Sequence, residues 1–136
     1  MGPTGRSLRL ALAFTLAGCA GTGPQAVLNQ EVELTPGQAL RIAGTDRTVT
    51  FVDVPQDSRC PVGATCIWAG NAEVRLRLRA GSLDTLFSVN TGQEPKSATA
   101  GRLRFELRGL MPVPHVNLPV DGKLYRARVL IGGIER

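Results

Sequence analysis

Aromatic side chains are scarce in this sequence: they make up four per cent of 136 residues, with one tryptophan and one tyrosine. With 43% hydrophobic residues overall, a core must be built mostly from Val, Leu, Ile and Ala. Histidine is scarcer still. His115 stands alone, and one imidazole without a carboxylate pair or free thiolate near it is not a zinc site. Met111 and His115 could meet copper, but the prolines between them make an apolar strap the better reading, so no metal or cofactor is expected. The chain also lacks a phosphate-cradling glycine loop and a nucleophile-elbow sequence. A set of Ser58, His115 and Asp57 can be assembled, as in nearly any protein, and no catalytic residue is assigned. No apolar run is long enough to cross a bilayer as a helix.

The longest such run, Leu10 to Ala17, follows Arg6 and Arg9 and reads as the h-region of a secretory signal. It ends in Leu16-Ala17-Gly18-Cys19, which resembles the lipobox of bacterial lipoproteins, where cleavage before the cysteine precedes its fatty acylation, typically with palmitate. The expected organisation is a signal peptide at 1–18, an acylated Cys19 with a small-residue tether through 27, and a single β domain at 28–136. The absence of Asp at position 20, which is Ala20, points under the usual sorting rule to the outer membrane, on its periplasmic face.

Removal of the signal takes Arg6 and Arg9 from sixteen basic residues, leaving fourteen against eleven acidic ones. The net charge then falls from +5 to +3, and with export this argues against a nucleic-acid partner. Of three cysteines, acylation uses Cys19, and Cys60 and Cys66 are free to pair in an oxidising compartment.

After the tether the hydrophobic period is close to two almost everywhere, with no helical stretch. Glu31 to Leu34 ends at a type II turn signal, Thr35-Pro36-Gly37-Gln38. Leu40 to Ile42 and Thr48 to Val54 follow, the latter either central or bulged near Phe51-Val52 because both parities are apolar. Ala72, Val74, Leu76 and Leu78 share one strand face, and Leu83, Thr85, Phe87 and Val89 another. Asn90 to Ala100 reads as an exposed loop, Leu103 to Leu107 as a half-buried strand, and Met111 to Pro119, with three prolines, as an extended connector. Leu124 to Ile131 closes the chain. About seven antiparallel strands predict a β-sandwich, or alternatively a small, partly open barrel.

The most distinctive stretch is Asp57 to Asn71. Pro61 and Gly63 turn the backbone between Cys60 and Cys66, so a disulfide is geometrically easy. Cys66, Trp68, Gly70 and Ala72 have one parity, which places Trp68 against the bridge as a lid on the core, with a bend or bulge at Gly70. The run Asp57-Ser58-Arg59-Cys60-Pro61, then Cys66-Ile67-Trp68-Ala69-Gly70-Asn71, resembles a family of uncharacterised exported or lipid-anchored bacterial proteins. Phe51, Pro112-Val113-Pro114 and Tyr125 match its flanking features. The resemblance implies no particular activity.

Two candidate surfaces emerge. Asp57, Ser58, Arg59 and Trp68 could form a recognition edge beside the bridged loop, or Asp57, Ser58 and Arg59 could be loop residues that satisfy local backbone groups and an ion pair, with the bridge a staple. Outward arginines at Arg75, Arg77, Arg79, Arg102, Arg104, Arg108, Arg126 and Arg128 would, on one sheet, make a basic face for anionic lipid head groups, lipopolysaccharide or another polyanion. The expected function is that of a lipid-anchored cell-envelope protein with an accessory or binding role, its partner the membrane and an envelope protein or polyanion. The alternative is a protease inhibitor or enzyme using the bridged loop.

Overall fold

The structure is a computed structural model that describes residues 23–134 and Gly2; the signal segment at 1–18 and the acylation site Cys19 fall outside the described residues. Among these, nine strands form: β1 Gln25–Ala26, β2 Glu31–Leu34, β3 Ala39–Ile42, β4 Thr48–Asp57, β5 Ala72–Ala80, β6 Leu83–Asn90, β7 Ser97–Ala100, β8 Leu103–Met111 and β9 Arg126–Gly133. They pair into a five-stranded sheet, β1-β3-β4-β5-β6, and a four-stranded sheet, β2-β9-β8-β7. The chain changes sheet three times, from β1 to β2, from β2 back to β3, and from β6 to β7. This is the expected all-β sandwich, with a curl that brings it toward an open barrel.

Alternation decides which way each strand faces. On β5, Ala72, Val74, Leu76 and Leu78 are fully buried, while Glu73, Arg75 and Arg77 turn outward. On β9, Ala127, Val129 and Ile131 are fully buried between the exposed Arg126 and Arg128. The two inward rows meet in one apolar cluster, and Phe87 of β6 reaches Phe105 of β8 across the sandwich with ring centroids 4.9 Å apart. Burial of such side chains, at about 1.5–3 kcal/mol each, is the main term opposing the ordering entropy of the chain.

The Pro36-Gly37 turn forms as read, with Gln38 N–H donating to the Thr35 carbonyl at 2.9 Å. The β4–β5 ladder shifts register between Phe51 and Asp53 and again before Gln56, which places the expected bulge.

Three sequence expectations are corrected. The tether does not extend to residue 27: Gln25–Ala26 pairs in parallel with Arg41 and Ile42, and Ala26 is fully buried. A two-residue edge strand is too short to show a period. The loop expected at 90–100 ends in β7, which pairs with β8 through a two-residue turn at Gly101 and Arg102, both at positive φ (54° and 62°). Small Ser, Ala and Thr side chains hid that strand.

The third correction concerns the arginines. Arg75, Arg77 and Arg79 lie on the five-stranded sheet; Arg104, Arg108, Arg126 and Arg128 lie on the four-stranded one, and Arg102 sits in the turn. No single basic face results. Most are also paired with carboxylates: Arg75 with Asp53, Arg77 and Arg79 with a shared Asp84, Arg108 with Glu106 and Glu31, Arg128 with Glu31, and Arg126 with Glu33.

Candidate functional site

The segment between β4 and β5 leaves the sheet as a narrow ladder. Ser58 N–H donates to the Asn71 carbonyl at 2.7 Å, and Cys60 N–H to the Ala69 carbonyl at 2.8 Å, so the two strands continue pairing past their regular ends. The ladder can be this close because residue 70 is glycine. Its φ of 71° is left-handed, and a Cβ there would fall on the Ser58 carbonyl oxygen. On its other side, a Cβ at Gly92 would fall on the Gly70 carbonyl, so three backbones stack here without side chains between them.

Beyond the ladder, Cys60 and Cys66 are bonded, with their Cα atoms 5.9 Å apart, as the spacing predicts. The closed loop does not fold back on the core. Val62 instead bridges to the proline-rich connector: its N–H donates to the Pro114 carbonyl at 2.8 Å, and Val116 N–H donates to the Val62 carbonyl at 3.1 Å. Two segments that the sequence separates by fifty residues therefore brace one another.

Trp68 overturns the expectation of a lid. It is 80% exposed and its neighbour Ile67 94% exposed. The parity argument assumed one extended strand from Cys66 to Leu78, but Gly70 interrupts it and β5 starts at Ala72, so the alternation that buries Ala72 does not reach back to Trp68.

Asp57 and Arg59 follow the second of the two readings, the local ion pair. Their side chains are only 11% and 13% exposed, so they do not present a recognition edge. Arg59 donates from Nε and Nη2 to the two carboxylate oxygens of Asp57 at 2.8 and 2.6 Å, a bidentate pair. Its Nη1 and Nη2 also donate to the carbonyls of Leu110 and Pro112, at 2.7 and 2.8 Å. Tyr125 donates its hydroxyl to Asp57 Oδ2 at 2.8 Å. The network ties the end of β4 to the end of β8 and the start of β9, and so closes the sandwich under the loop. Tyr125, Leu110 and Pro112 were not identifiable as its members from sequence, because nothing local marks a contact made across the sheets.

Burial alone would raise the Asp57 carboxyl, but the hydrogen bonds from Arg59 and Tyr125 and the Arg59 backbone outweigh it and hold the group below its usual value. The Tyr125 phenol is pushed up to about 12, by burial first and then by its bond to Asp57. Ser58 is exposed, and its hydroxyl exchanges hydrogen bonds with the backbone of Asn71.

A solvent-open depression of about 480 Å³ lies between the network and the connector, lined by Asp57, Pro114, His115, Asn117 and Tyr125 among others. It joins Asp57 to His115, while the Ser58 hydroxyl is engaged by the backbone of Asn71. The Asp57 carboxylate, already accepting from Arg59 and Tyr125, is poorly placed to act as a base.

The residues sequence reasoning missed are the apolar ones. Among the described residues, eight of the twelve exposed large hydrophobic side chains fall within residues 62–68 and 111–124. A signal was present: neither residues 60–70 nor residues 111–120 contain Asp, Glu, Lys or Arg, in a chain with 20% charged residues. The structure brings these neutral stretches to one end of the sandwich. No family model, curated protein or solved structure matches the chain, so what this end does must be argued from its own geometry.

Proposed function

We propose that this chain is a lipid-anchored cell-envelope domain that acts as a binding or accessory module through its bridged loop. The observation that carries the reading is the exposure of Ile67 and Trp68, 94% and 80%, on a loop closed by a disulfide and braced by the connector. Holding large apolar side chains in water is unfavourable, and a backbone already ordered loses little entropy when they are covered. The lipobox resemblance at Leu16 to Cys19 supports the anchor, and the disulfide is consistent with an oxidising compartment.

The reading is tested in two parts. Mass spectrometry of the mature N-terminus is expected to find Cys19 acylated, and an unmodified terminus overturns the anchor. A photo-reactive residue placed at position 68 in cells is expected to crosslink to an envelope component, whereas the same residue at Thr50, inside the sheet ladder, is not. Equal labelling at both positions overturns the binding role. The competing readings are an inhibitor that presents the bridged loop and an enzyme, which would draw on the depression between Asp57 and His115.

A further inference from the structure

We propose that the end of the sandwich opposite the cysteine loop rests on the bilayer that holds the acyl anchor, with its arginines against anionic phospholipid head groups. The inference rests on the envelope-anchor reading and adds to it an orientation and a lipid class.

Three observations carry it. The first is where the chain enters the domain. Gly23, Pro24 and Gln25 line a shallow depression with Ala39 and Arg41. Ala39 pairs with Thr50, two residues from the start of β4 at Thr48 and seven from its end at Asp57. At about 3.3 Å per residue, the cysteine loop begins about 23 Å up the strand from that level. Gly23 follows Cys19 by four positions, a span of at most about 14 Å. Such a lead is too short to carry a bilayer to the loop, and the turn between β3 and β4 is the nearer end.

The second is charge. Among the described residues, every arginine without a carboxylate partner belongs to this end: Arg41, Arg47, Arg102 and Arg104. Arg41 Nη2 donates to the Thr45 carbonyl at 3.3 Å, which aims its guanidinium at the β3–β4 turn. Arg47 closes that turn, its carbonyl accepting from Ile42 N–H at 2.9 Å. Arg102 and Arg104 come from the β7–β8 turn and the strand after it, on the other sheet. Against them stands Asp46, since Asp84 is already shared by Arg77 and Arg79.

The third is contact between the two turns. A Cβ at Gly101 would lie 3.7 Å from Arg47 Nε, so the β3–β4 and β7–β8 turns meet at the tip of the sandwich. Cations from both sheets therefore gather at one end, although neither sheet carries a basic face. Attraction to an anionic surface in physiological salt reaches about 8 Å. A short lead brings this end close enough for that attraction to act, and each guanidinium can then pair with a phosphate. The bridged loop is held on the far side, away from that bilayer.

The arginines themselves serve as probes. The full chain, purified as the cell makes it, is incorporated into vesicles of phosphatidylcholine alone, or of phosphatidylcholine and phosphatidylglycerol in equal parts. Its arginines are labelled with phenylglyoxal and quantified by peptide mass spectrometry. Labelling of Arg41 and Arg102 is expected to fall severalfold in the anionic vesicles and to recover in about 1 M salt, where screening cuts the range to about 3 Å. Arg126, exposed at the loop end where it pairs with Met111, should label equally in both. Arg102→Gln with Arg104→Gln, both at exposed positions, should remove most of the fall at Arg41 and leave the circular dichroism of the sheets unchanged.

Equal labelling of Arg41 and Arg102 in the two vesicles, from protein that both retain, overturns the docking and leaves the anchor standing. A salt-sensitive fall when anionic vesicles are added to a chain with an unmodified N-terminus supports the docking and overturns the anchor. A fall at Arg126 as large as that at Arg102 overturns the orientation.

Discussion

Tyr125 donates a 2.8 Å hydrogen bond to Asp57, a residue 68 positions earlier, and through it the first residue before β9 holds the last residue of β4. Arg59 completes the knot by pairing with the same carboxylate while capping two carbonyls at the end of β8. Removing the cation leaves a mostly buried carboxylate and two carbonyls without their donors. Arg59→Met is expected to cost about 3–5 kcal/mol, read as a lower urea midpoint with an unchanged slope.

The same bond makes a prediction at high pH. Tyr125 is the only tyrosine, so tyrosinate absorbance reports it alone. Its pKa rises from 10.0 unfolded to about 12 folded. Its contribution to stability is therefore complete below pH 10 and is lost as pH climbs toward 12. A folded-state midpoint near 10 would contradict the bond. At the acid end the sign reverses: the depressed Asp57 contributes above its unfolded value of 3.8, and that contribution disappears as pH falls through the lower folded value. Asp57→Asn should remove this part of the acid dependence.

The disulfide closes a seven-residue ring, for which the chain-entropy treatment gives about 2.4 kcal/mol. Cys60→Ser with Cys66→Ser is expected to lose up to this amount while the sheets remain. Hydrogen exchange should show the loss of protection confined to the loop and to the Val62–Val116 bridge.

Trp68→Ala is expected to change stability by less than about 0.5 kcal/mol, because the indole is 80% exposed. A lid on the core would instead cost about 3–5 kcal/mol. Thermal unfolding separates the two outcomes plainly.

Gly70→Ala brings both positive-φ strain, about 1–2 kcal/mol, and a collision with the Ser58 carbonyl that only backbone movement relieves. The expected loss exceeds the strain alone, and the chemical shifts of Ser58 and Gly92 should move with it.

The sandwich was legible in the sequence because its evidence is local. Alternation at β5 and β9 shows which side chains are wet, since successive residues on a strand must face opposite ways. The bridge was legible for the same reason: six positions with a proline and a glycine between them bring two cysteines within bonding reach. The sheet membership of each arginine was not legible, because alternation assigns a face but not a partner, and β5 and β9 turned out to lie in different sheets.

What the sequence determined by itself was the run of strands, their inward faces and the closed loop, all consequences of backbone geometry over a few residues. Tertiary structure decided which charges are hidden and which apolar groups are bare. Asp57 and Arg59, polar residues of a loop, are drawn in because Leu110 and Pro112 at the end of β8 and Tyr125 just before β9 converge on them. Trp68, apolar and expected inside, is put out because the left-handed Gly70 ends the strand alternation before reaching it. Burial is set by what packs against a residue, and those neighbours lie far away in the chain.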